Sequence, residues 1–267
     1  MKHFYSHTAD YIRDLKSNGK YSFISEDLKG VLNKSQKNIN KDLDRLKQKG
    51  EIFNVRRGFY IIIPDHYKNM GLLPIELFAD DLMKFIGKNY YVGLFSAAML
   101  HGAAHQQPQE FYIINESPNV RNVKKENLTI HFSEKKNFPD YGIEEKKTDT
   151  GYLRISGREL TFLDLIYFEK PIGGLNRIIS VLIELAEEMK VSLLRKALKN
   201  QFPITVYQRA GYILEHIIQK NELAKAVKEH LSGREHRITL LNPSGKEMGM
   251  IDKKWKVQIN IQLESDL

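Results

Sequence analysis

Residues 35 to 63, SQKNINKDLDRLKQKGEIFNVRRGFYIII, constrain the chain most. Ser35 suits an N-cap, since its hydroxyl can accept from a free N–H of a first helical turn. Ile39, Leu43 and Leu46 recur at the spacing of one apolar helix face. Lys37, Asn38, Asn40, Lys41, Asp44, Arg45 and Gln48 then fall mostly on the other faces. Gly50 stops the helix as a C′ glycine does. Ile52 to Val55 and Phe59 to Ile63 flank Arg56-Arg57-Gly58, and aromatic and β-branched runs either side of a glycine turn predict a hairpin. Pro64 closes it, because proline cannot donate to a ladder. An amphipathic helix with a basic, amide-rich outer face, followed by a hairpin with arginines at its tip, predicts a winged helix-turn-helix. In that fold the helix enters the major groove and the wing meets the backbone or minor groove.

The upstream residues fit the same head. A first helix is expected over Phe4 to Lys16 and a second to about Leu32, with Ser25 as its N-cap and Glu26 and Asp27 in its first turn. Residues 1–64 hold 13 Lys and Arg against 7 Asp and Glu, an excess of six out of the chain's net +8. Phosphate neutralisation supplies much nucleic-acid affinity, so this asymmetry fits a DNA-binding head. Ser35, Gln36, Lys37, Asn38 and Lys41 stand near the helix start, where base edges are read: Lys serves guanine, Asn and Gln serve adenine. Arg45, Arg56 and Arg57 are assigned to phosphate or minor groove.

The 267 residues allow two domains. Residues 65–74 read as a linker and 75–267 as a larger mixed α+β domain, so the fold class is α+β. Its expected parts are a helix from Pro74 to Gly87, a small-residue helix from Gly93 to Gly102, and strands at 110–114, 128–132, 143–147 and 152–155. A helix opened by the capping box Ser156–Glu159 follows, then helices near 175–188, 190–200, 204–219 and 222–231. Strands at Arg237 to Leu241 and Trp255 to Leu263 close the chain. Residues 224–256 carry eight Lys and Arg against four Asp and Glu, so Lys246, Lys253, Lys254 and Lys256 are candidates for a basic surface on this domain. Trp255 reads as a core anchor. With no cysteine, neither thiolate zinc sites nor disulfides are available. No signal core and no run of about 18 apolar residues is present, so no membrane span is expected and a cytoplasmic location is.

Two catalytic patterns fail, one on residue identity and one on spacing. His101 and His105 stand at i, i+4, but Gly102 occupies the place where a zincin needs Glu. Asp140, Glu145 and Lys147 spell the carboxylate order of metal-dependent nucleases, but too few residues separate the two acids for the usual strand-to-strand arrangement. No P-loop and no G-x-G-x-x-G appears. Neither a metal, a cofactor nor catalysis is expected.

The order of features resembles the AbiEi antitoxin family, bacterial transcriptional regulators of type IV toxin–antitoxin and abortive-infection systems. The matching pieces are Arg56-Arg57-Gly58-Phe59-Tyr60 with Ile63-Pro64, then Tyr90-Tyr91 with Ser96-Ala97 and His101-Gly102. Ser156 to Leu165, Gly173-Gly174-Leu175 and Arg209 to Glu215 complete them. The resemblance implies a head that binds double-stranded operator DNA and represses its own operon. It also implies a second domain that counteracts a nucleotidyltransferase-like toxin without requiring a stable complex. The alternative is a ligand-sensing winged-helix transcription factor with no link to a toxin.

Overall fold

In the computed structural model, which describes residues 4–103 and 110–263, the first 62 residues build α1 (Thr8–Ser17), β1 (Ser22–Ile24), α2 (Asp27–Val31), α3 (Gln36–Gln48), β2 (Ile52–Arg56) and β3 (Phe59–Ile62). The α3 boundaries follow the sequence signals. The Asn38 N–H donates to Ser35 Oγ at 3.4 Å, and Gly50 takes φ +66° just past the helix. Ile39, Leu43 and Leu46 enter one core with Ile12 of α1, Leu28 of α2 and Phe23, Ile52 and Ile62 of the strands.

The hairpin gains a third strand: β1 pairs with β3, giving the antiparallel order β1-β3-β2. The sequence does not announce β1, since a three-residue strand is too short to show a period of two. Ser25 does not cap α2, whose N-cap position is Glu26. Its N–H instead donates to Gly58 O at 2.8 Å and closes the sheet over the hairpin turn. The first helix starts at Thr8 rather than Phe4, which is 71% exposed.

Beyond the hairpin the chain makes a 3₁₀ helix at Asp65–Met70 and buries Leu73 completely. The helix expected from Pro74 to Gly87 is a 3₁₀ turn (Ile75–Leu77) and then α4 (Ala79–Ile86), broken where Phe78 drops into the core. Next come β4 (Tyr90–Val92), α5 (Leu94–Leu100), β5 (Phe111–Glu116), β6 (Val123–Lys125), β7 (Leu128–Lys135), β8 (Ile143–Thr148) and β9 (Gly151–Ser156), in a six-stranded mixed sheet of order β6-β7-β5-β4-β9-β8.

The helices that follow are α6 (Arg158–Tyr167), α7 (Leu175–Glu188), α8 (Val191–Ala197), α9 (Ile204–Tyr212), which runs into a π-helical turn at Ile213–Ile217, and α10 (Asn221–Leu231). The box Ser156–Glu159 does not form, because both side chains are already committed. Ser156 ends β9 with its Oγ 2.7 Å from Thr161 Oγ1, and Glu159 Oε1 accepts from the Lys190 N–H at 2.7 Å, leaving Gly157 at the N-cap position.

The central strands are buried on both faces, as covered sheets are. Tyr91, Tyr112 and Ile114 face the α6–α10 helices. Val92, Phe111 and Ile113 face the other way, into a core shared with Val55, Phe59 and Ile61 of the hairpin and Phe78, Leu82 and Met83 around α4. The first sheet is thus covered on both sides, by its own helices and by the six-stranded sheet.

The tail forms three two-residue strands, β10 (Thr239–Leu240), β11 (Ile251–Asp252) and β12 (Val257–Gln258), in place of two longer ones. The alternation of Val257, Ile259 and Ile261 records packing against the α9 side, not a continuous ladder. Trp255 is fully buried over Gly211 of α9, where a Cβ would lie 2.0 Å from its ring.

Candidate nucleic-acid interface

Helix α3 divides by burial as its periodicity requires. Ile39, Leu43 and Leu46 are buried, while Ser35, Gln36, Lys37, Asn38, Lys41 and Arg45 are all exposed. Asp42 turns inward, accepting from Thr8 Oγ1 at 2.8 Å and from Lys34 Nζ at 2.7 Å. The Lys34 bond holds its carboxyl below the usual carboxylate range. That carboxylate is thereby neutralised and fastens α3 to the start of α1. Asp44 pairs with Lys47 at 2.7 Å. Lys37, Lys41 and Arg45 form no ion pair among the described residues. The outer face therefore presents three cations outside any ion pair, interleaved with Gln36 and Asn38, a donor and acceptor set that can meet both phosphates and base edges.

The hairpin turn is braced from within by Asn54. Asn54 Nδ2 donates to Arg56 O at 2.7 Å and to Phe59 O at 3.1 Å, at a register shift between Asn54 and Arg56. Gly58 takes φ +88°, and a Cβ there would stand 3.4 Å from Phe85 of α4. The Phe59 and Phe85 ring centroids are 5.5 Å apart. The structure separates the two tip arginines: Arg57 is exposed, whereas Arg56 is half-buried with its Nη1 enclosed and unpartnered. Further ties hold the first sheet against α4 and the larger sheet. Ser22 Oγ donates to Asp81 Oδ2 at 2.6 Å, and Lys125 Nζ on β6 donates to Asn54 O at 2.8 Å. The sequence did not point to Lys125 or Phe85, since nothing local marks a contact that spans tens of residues.

The four basic candidates of the tail do not form one free patch. Lys246 and Lys253 are exposed, but Lys254 is ion-paired with Glu215, and Lys256 Nζ donates to His236 O at 3.1 Å. Glu215 also accepts from Trp255 Nε1 at 2.6 Å.

His101 Nε2 donates to Ser156 O at 2.7 Å, and burial lowers its pKa from the ordinary imidazole value. His105 lies outside the described residues. The Asp140 N–H donates to Asn200 Oδ1 at 3.1 Å, and Glu145 is exposed on β8. Among the described residues no group of three or more His, Asp or Glu could hold a metal ion, and no helix is long and apolar enough to cross a membrane.

Residues 91–216 match the family model of the AbiEi antitoxin C-terminal domain. Among solved structures, the RV2827C protein from Mycobacterium tuberculosis is similar in fold, with a TM-score of 0.62 at 12% identity over 96% of this chain and 92% of that one. No curated protein matches the chain significantly.

Proposed function

We propose, from the match of residues 91–216 to the model of the AbiEi antitoxin C-terminal domain, that the chain is a DNA-binding regulator, an autoregulating type IV antitoxin. In this reading residues 1–64 are a winged helix-turn-helix head, 65–74 connect it, and 75–267 form the antitoxin domain. The head represses the operon by binding double-stranded operator DNA, and the second domain counteracts a nucleotidyltransferase-like toxin without a lasting complex. The protein carries out no catalysis itself and acts in the cytoplasm.

One observation carries the DNA reading: α3 exposes Lys37, Lys41 and Arg45 without a single ion pair among the described residues, while its lone inward carboxylate, Asp42, is consumed by Thr8 and Lys34. Ser35, Gln36, Lys37, Asn38 and Lys41 read base edges, and Arg45 and Arg57 hold phosphates. Arg56 meets DNA only with its outer nitrogens, because Nη1 is enclosed. Lys246 and Lys253 are the members of the tail set open to a nucleic-acid backbone.

The test is a mobility-shift titration of the full chain on the DNA upstream of its gene, at two salt concentrations, beside the Lys37→Glu/Lys41→Glu variant. Saturable binding that the variant loses supports the operator reading. Equal binding to random DNA reduces α3 to a basic surface.

A further inference from the structure

A cleft of about 500 Å³ opens where the end of α8, the start of α9 and the end of α10 meet, within the usual size range of small-ligand sites. Lys199, Asn200, Phe202, Tyr207, His230 and Arg234 line it, and no carboxylate is among the lining residues. Other clefts differ. One beside α1 sets Arg13, Lys16 and Lys68 against Glu51 and Asp65. Another, beside β1, sets Lys20 and Lys84 against Asp27 and Asp81.

Two neutral polar side chains of the cleft, Tyr207 and Asn200, are already used. Tyr207 OH donates to Asn200 O at 2.5 Å. The Asn200 side chain accepts from the Asp140 and Tyr141 N–H groups and donates to Tyr141 O. The cations are not. Arg234 and Lys199 form no ion pair among the described residues, and the Lys199 ammonium only stands 5.6 Å from the Tyr141 ring centroid. Glu229, beside His230 in sequence, is taken by Arg195 at 2.5 Å. His230 packs edge-on to Tyr207, with centroids 4.7 Å apart, and its Nε2 is enclosed without a partner. An enclosed polar atom left unpaired costs stability. Two uncompensated cations around it form a site whose missing component is an anion with several acceptor oxygens.

We propose that this cleft binds the phosphoryl group of a phosphorylated ligand, with Arg234 and Lys199 on its oxygens and His230 at its inner wall. The phosphoryl group has two possible sources, a free mononucleotide or the phosphorylated end of a nucleic-acid strand. The inference does not rest on the operator reading, because none of its residues belongs to the head.

The full chain is titrated with AMP, adenosine and a 5′-phosphorylated single-stranded tetranucleotide, followed by calorimetry and by the His230 ring resonances. Expected are saturable AMP binding, no adenosine binding, movement of the His230 resonances, and affinity weakened at least about tenfold in Lys199→Glu/Arg234→Glu. Both positions are exposed, and the wild-type resonances test the site even where the variant folds poorly. A tetranucleotide that binds more tightly than AMP, with the same dependence on Arg234, identifies a strand end as the source and upholds the site. Adenosine binding as well as AMP, no binding of either phosphorylated probe, or an unaffected double variant overturns the proposal. The Lys37→Glu/Lys41→Glu chain should bind AMP normally, which separates this site from operator binding.

Discussion

Lys125 on β6 donates to both the main-chain and the side-chain oxygen of Asn54 on β2, at 2.8 and 3.0 Å. A single ammonium from the larger sheet thus covers the edge of the hairpin, and the same Asn54 holds the hairpin turn through Arg56 O and Phe59 O. Edge strands need such cover. Lys125→Ala is expected to lower stability by about 1 kcal/mol and to speed amide exchange in β2, measured by denaturation and hydrogen exchange. Unchanged protection of β2 would show that the apolar packing of Phe59 and Phe85 suffices.

Arg57 is the exposed arginine of the turn and Arg56 the half-buried one. If the turn meets DNA, Arg57→Ala removes one phosphate contact and lowers the slope of log affinity against log salt by about one unit. Stability should hardly change. The slope is read from mobility shifts at several salt concentrations, and an unaltered slope removes Arg57 from the interface.

Asp42 links α3 to α1 and titrates. Its folded pKa is depressed, first by the hydrogen bond from Lys34. A depressed carboxyl stabilises the fold above its unfolded pKa, near 4, and loses that contribution as pH falls through the lower folded value. Wild type should therefore lose stability below about pH 4 more steeply than Asp42→Asn. The difference should be of order 1 kcal/mol or less, since Asp42 is partly open to solvent. Parallel acid melts of the two chains would discount the Thr8–Asp42–Lys34 link.

Gly211 and Trp255 meet with no room for a side chain. Gly211→Ala is expected to cost about 3 kcal/mol by overpacking and to loosen the tail, seen as a shift of the single tryptophan's fluorescence. A wild-type melting temperature would mean that the indole can move aside.

What the sequence disclosed, and what it did not, divides by range. The α3 cap at Ser35, its stop at Gly50 and its apolar stripe are set by neighbours a few residues away, so they were legible. Strands β1, β4 and β6, three residues each, were not, because they show no period and owe their conformation to partners such as Tyr60 and Ile113. The capping box misled because Ser156 and Glu159 satisfy a local pattern while Thr161 and the Lys190 N–H claim them. Of the expected DNA contacts, the α3 set stands together on one exposed helix. The difference between Arg56 and Arg57 comes from how the turn sits in the fold, which no local spacing encodes.

Another link that no local spacing encodes is the pair Lys135 and Asp164, joined at 2.6 Å with their side chains 2% and 0% exposed. Tyr91 OH donates to the other carboxylate oxygen at 2.8 Å, and the Phe202 ring lies 3.8 Å from the ammonium. Burial pushes the lysine pKa down and the aspartate pKa up, and the attraction between the two opposes both shifts. Removing one partner leaves a charge in the core, so Asp164→Asn should cost about 4 kcal/mol. Lys135→Met/Asp164→Asn removes both charges and should recover most of that loss, because desolvation offsets much of what a buried pair gains. Chemical denaturation of the wild type, both single variants and the double variant closes the cycle. Additive losses would mean that Tyr91 and Phe202, rather than the ion pair, hold β7 to α6.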